Sequence, residues 1–181
     1  MQACCKINRL KTRTIFSMNF QLIHLLTLLL KKTKCYFMQT GLIHLHNLLR
    51  WVVLIAIVVA IVQLLLKKDA LKASKVLLIS AHSTLVLGLY QYFFGPIGFF
   101  FIKTMGMAEV MKDKILRFWA VEHIFSMLIA IILITIGHIK YKKGGAPKTT
   151  LILYIIALLL IFAAIPWPFR GEIARPLYPG G

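Results

Sequence analysis

The sequence predicts an all-α integral membrane fold, a four-helix transmembrane bundle. Three observations predict it. Of 181 residues, 60% are hydrophobic and only 15% charged, where a soluble domain carries about 45–50% apolar and about 25% charged residues. The mean hydropathy is +0.83. The apolar residues are gathered into runs at 42–66, 75–94, 117–139 and 150–165, each near the roughly 17–25 residues with which a helix crosses the hydrocarbon core. These runs do not alternate polar with apolar positions, so they read as helices, which satisfy their own backbone groups in lipid.

Glycine and proline mark the ends of the runs. Gly95-Pro96 follows the second, Gly144-Gly145 with Pro147 precedes the fourth, and Pro166-Trp167-Pro168 follows it. The net charge of +17 would suggest nucleic acid on a soluble protein. Here the basic residues sit in short clusters between apolar runs, and no nucleic-acid-binding signature is present, so nucleic acid is not an expected partner. The cysteines are Cys4, Cys5 and Cys35, which leaves the body without a disulfide, a thiolate metal site or a thiol nucleophile.

Two segments differ in character. The body is 38–181, a four-span domain. Residues 1–37 form a basic and apolar extension with seven Lys or Arg and no acid. Its apolar part, 14–30, is at the short limit for a span. Three readings stand for it: a signal-like sequence without a small-residue cleavage site, an additional short N-terminal hydrophobic helix, or a start assigned ahead of the true one at Met38.

Basic loops set the expected orientation. Lys67, Lys68, Lys72 and Lys75 lie between the first and second spans, and Lys140, Lys142, Lys143 and Lys148 between the third and fourth. Both loops belong on one side, read as cytoplasmic, with the protein in the cell's inner (cytoplasmic) membrane. The loop 96–116 and the C-terminus then lie outside. In that loop Phe99, Phe100 and Phe101 suit the membrane interface. Met107, Val110, Met111 and Ile115 follow helical spacing, as in a short helix lying on the surface.

Ionisable residues inside a span are costly, and each is a functional candidate. They are His44, His46, Arg50, His82, Glu122, His123, and His138 at the inner edge, where it should reach water. His46 and Arg50 are four apart and share a helix face; His44 points elsewhere. Trp119, Glu122, His123 and Ser126 form a stripe at helical spacing. At 1.5 Å per residue, His46 lies about 6 Å and His123 about 9 Å below the outer ends of their spans, and His82 about 10 Å from the inner end. Histidines at matched depth on different helices can supply both axial ligands of a haem, in the bundle interior where such cofactors sit. That makes His46 and His123 the expected iron ligands, with His82 as substitute. Arg50 would pair with a haem propionate or with Glu122, and Glu122 could exchange a proton beside a quinone. The opposing reading is that these groups only hydrogen-bond helices together. Thr84, Gly88, Gln91 and Gly95 share a face of the second span and read as packing. Trp51, Trp119 and Trp167 fit an interfacial aromatic belt.

Three stretches carry a resemblance: Met38-Gln-Thr-Gly-Leu-Ile-His-Leu-His-Asn-Leu-Leu-Arg-Trp51, Arg117-Phe-Trp-Ala-Val-Glu-His123 with the run to Gly137, and Ile165-Pro-Trp-Pro-Phe169. Together they resemble small bacterial four-helix integral membrane proteins labelled "cytochrome b", over roughly 38–170. The resemblance implies a four-helix membrane fold, haem b as cofactor, and His46, His82 and His123 as ligand candidates. It also supports Met38 as the start.

The leading expectation is therefore a b-type cytochrome carrying electrons through a haem between helices, with the lipid bilayer and a quinone or redox protein as partners. The alternative is a non-haem membrane subunit or assembly factor whose polar residues only pack helices. A transporter using Glu122 is disfavoured, because few polar residues line the helices and no inverted repeat is evident.

Overall fold

A computed structural model describes the backbone of residues 18–175 and the side chains of 39–175. It is helical throughout. Helix α1 is Met18–Leu65, α2 Leu71–Phe94, α3 Phe99–Met105, α4 Met107–Lys112 and α5 Lys114–Arg117. A π-helical turn, Phe118–Glu122, leads into α6, His123–Lys142; α7 is Pro147–Ala164, and a short 3₁₀ turn, Gly171–Ile173, follows. Four stretches are long and apolar enough to cross a membrane: Gln39–Leu65, Leu71–Met105, Lys114–Lys142 and Pro147–Ala164. The expected four-helix membrane bundle is the fold.

The elements begin and end where local chemistry requires. Lys67 takes a left-handed backbone conformation, φ 54°, as the chain leaves α1. Pro147 starts α7, where its missing N–H breaks no bond. Gly98 and Gly106 lie at φ 84° and 82° on either side of α3, a conformation that favours glycine. Asp113 caps α5 by accepting from the Ile115 and Leu116 amides at 2.8 Å. That cap splits the single surface helix expected over 107–116 into α4 and α5. Helix α3, carrying the three phenylalanines, was not foreseen.

The readings offered for 1–37 fall largely outside the described residues. From Met18 onward the backbone is one helix running without a break into the first span. Its 48 residues measure about 72 Å, more than twice the hydrocarbon thickness.

Each long helix neighbours the next, and α7 returns to α1. The four thus form a ring with α1 opposite α6 and α2 opposite α7. The core lies on their inner faces: Val53, Ile57, Ala60 and Leu64 of α1; Leu77 and Ala81 of α2; Ala130 and Ile134 of α6; Tyr154, Ala157 and Ile161 of α7. Small residues among these admit close helix approach, and helix association in lipid depends on such packing. Outward-facing Ile55, Val86, Phe125, Ile132, Leu159 and Phe162 stay exposed, as a surface solvated by acyl chains would be.

The bundle has two unlike ends. The lysine end carries the 66–70 and 143–146 connections. The Tyr141 hydroxyl in the last turn of α6 holds the first of them, accepting from the Ala70 amide at 3.1 Å and reaching Asp69 at 3.4 Å. At the tryptophan end, Trp51 meets Trp167 edge to face at 6.4 Å, and the segment after α7 folds back over the π turn. Arg170 lies over Phe118 and Arg175 over Trp119, each 5.1 Å from the ring centre. Arg170 also donates to the carbonyls of Ala163 and Ile165.

Candidate functional site

The candidate site lies near the tryptophan end, between α1 and α6. Helix α1 brings His46 and, one turn on, Arg50; α6 begins at His123. His46 lies within electrostatic range of both Arg50 and His123. The two histidines thus lie in one region of the bundle on opposite helices, while His82 is exposed on α2.

Each ring is held by the wall beside it. The His123 Nδ1 donates to the Ala164 carbonyl at 2.8 Å. A carbonyl only accepts, so Nδ1 carries the proton and, in the neutral ring, Nε2 is left as acceptor. Histidines that ligate metals are commonly oriented by such a bond. Phe118 and Trp119 flank this ring, both at 6.0 Å between centroids. His46 leans on α2 at Gly88, where an added Cβ would come within 3.3 Å of its Cε1. Its Nδ1 is shut away from solvent and has no hydrogen-bond partner. Gln91 binds α2 to α1 nearby, donating to the Leu42 carbonyl at 2.8 Å. The face of α2 read as packing thus also shapes the seat of His46.

The π turn just before His123 is the feature that sequence spacing missed. In an α-helix, residues five apart diverge by about 140° around the axis; in a π turn they come nearly into line, since its hydrogen bonds run i→i+5. Arg117 Nε accordingly donates to Glu122 Oε1 at 2.7 Å. Glu122 is engaged there, on the exposed side, rather than by Arg50 in the interior. Ala120, inside the turn, has its carbonyl bound by the Tyr92 hydroxyl at 2.9 Å. A π turn at such a position often marks a functional site.

His82 sits apart from the pair. It is exposed on α2, with its Nδ1 bound to the Leu78 carbonyl at 2.9 Å. His138, expected to reach water, is buried instead. Its Nδ1 is 2.8 Å from the Ser74 hydroxyl, and Ser74 also bonds the Tyr154 hydroxyl. The Tyr154 ring lies against Gly137, where a Cβ would meet it at 2.6 Å. Neither Ser74 nor Tyr154 was singled out by sequence, and both come from other helices.

Among the described residues, no three of His, Cys, Asp and Glu converge to hold a metal ion. A haem asks less of the protein, two axial ligands, since its porphyrin supplies the other four. His46 and His123 are the candidates for it on opposite helices: His46 has a buried Nδ1 without a partner beside Gly88, and His123 is oriented by the Ala164 carbonyl.

Fold and site together define a four-span helical membrane protein with a histidine pair drawn from opposite helices. No protein-family model, curated protein or solved structure matches the chain.

Proposed function

We propose that the protein is a b-type cytochrome, a membrane electron carrier in which His46 and His123 would hold haem b. The observation that supports this best is the facing pair: His46 with a buried Nδ1 lacking a partner, and His123 oriented by the Ala164 carbonyl. A haem with two imidazole ligands supplies low-spin one-electron transfer when bound. The chain's own part is to bind and orient. Ala164 fixes the His123 ring, Gly88 leaves room for His46, and Arg50 offers positive charge near it for a propionate. The apolar core beneath keeps water out. A quinone or a redox protein would exchange the electrons. The test is the spectrum of protein expressed with ample haem: a Soret band and, on dithionite reduction, a sharp b-type α-band are expected.

The second reading, a non-haem membrane subunit or assembly factor, draws on the same contacts. His123 bonds another helix and His46 packs on Gly88, which serves helix association by itself. A colourless protein would decide for it.

For orientation, we propose that the lysine end faces the cytoplasm, in the inner membrane, following the bias of basic loops. Reporter fusions at Lys72 and Lys143 should report the cytoplasmic side and fusions in 96–116 the opposite one. Lys72 outside would overturn the orientation.

A further inference from the structure

We infer that the groove at His82 binds a small bilayer-dissolved molecule bearing a hydroxyl on an apolar ring, of the alkylphenol type. The groove lies between α2 and α6 on the lipid-facing side. It is a shallow, open groove of about 320 Å³ lined by His82, Leu85, Leu128, Ile131, Ile132, Thr135 and Ile136.

Its hydrogen-bonding inventory is one-sided. The His82 Nδ1 faces the Leu78 carbonyl and must carry the proton, so in the neutral ring Nε2 is an acceptor. The Thr135 hydroxyl gives its proton to the Ile131 carbonyl at 2.7 Å, so its oxygen too can only accept from a visitor. The groove therefore offers acceptors and no donor, which suits a hydroxyl and not a ketone or an ether.

Depth argues for an occupant. His82 is seven residues beyond Lys75, about 10 Å along the axis and well inside a bilayer core about 30 Å thick. A polar nitrogen facing hydrocarbon there is unfavourable unless paired. The remaining walls are aliphatic, matching an apolar ring, and the open side lets a tail continue among the acyl chains. A phenolic hydroxyl, more acidic than an aliphatic one, is the stronger donor to such acceptors. This inference does not depend on the haem reading.

The test uses the full chain in lipid nanodiscs with isotope-labelled histidine, followed by nitrogen NMR. Titration with para-octylphenol should shift the His82 Nε2 resonance saturably. Para-octylanisole, which lacks the donor, should bind about tenfold more weakly, the equivalent of one hydrogen bond. Leu128→Trp, which fills the groove, should abolish the shift while the His138 resonance stays in place. Equal responses to the two probes, or none to either, would overturn the inference. So would a His82 shift on diluting the protein in lipid, which would mean that a second copy covers the groove.

Discussion

The two ends of the bundle each bury a histidine of the same helix, and they treat it in opposite ways. At the lysine end, His138 is bound to Ser74, which in turn bonds Tyr154. Three helices are pinned by that network, and nothing in it asks for a further partner. At the tryptophan end, His123 is held on one side only by Ala164, and it faces a His46 whose Nδ1 is buried without a partner. Buried polar groups are nearly always satisfied. The contrast is between a histidine tied into a three-helix network and one that shares its region with a buried ring nitrogen lacking a bond.

The sharpest way to break the comparison is to exchange the ends. His46→Ala and His123→Ala should each remove or shift the haem spectrum, whereas His138→Ala should leave it in place and lower stability instead. A spectrum lost in His138→Ala but kept in His46→Ala would reverse the assignment of the two ends.

Close approaches give the next effect. Gly137→Ala sets a Cβ 2.6 Å from the Tyr154 ring, an overpacking that costs about 1–3 kcal/mol, to be read as earlier unfolding in an SDS titration of mixed micelles. Gly88→Ala places its Cβ 3.3 Å from His46, a milder contact. It should leave stability nearly unchanged and move the absorption maxima of the haem-loaded protein. Equal destabilisation by both would show the seat of His46 to be ordinary packing.

Ser74→Ala takes the shared partner from His138 and Tyr154 and should cost about 1–2 kcal/mol in the same titration, with the spectrum unchanged. The smallest effect belongs to Glu122→Gln. Its partner Arg117 is a surface contact, worth about 0.2–1 kcal/mol. A large loss of absorption in that variant would place Glu122 back at the cofactor.

What the sequence made legible follows from which physics is local. The spans could be read because crossing lipid demands length and hydropathy, both visible in a linear string. His46 and His123 were paired from depth along the helices, and they lie within electrostatic range of each other. Three things were hidden. The π turn shifts the helical period over 118–122, so a stripe drawn at 3.6 residues per turn carried Glu122 inward when it turns outward. The partners of His138 lie 64 and 80 residues from one another along the chain contacts that run through Ser74, beyond the reach of any spacing rule. His82 occupies the lipid side because Ser74, Leu77 and Ala81 take the inner face of α2, a choice made between helices and not within one. Tyr178, expected outside with the C-terminus, lies beyond the described residues.

The π turn has one more consequence, for how this protein tolerates changes of length. A wide turn is an α-helix with a residue to spare. Removing one residue within 118–122 would restore the regular winding and leave both α5 and His123 close to where they stand, because the wide turn already holds the extra residue. Insertions or deletions in the 96–116 connection can thus be taken up before they reach the histidine. The turn is a slip joint between that connection and the His123 ring.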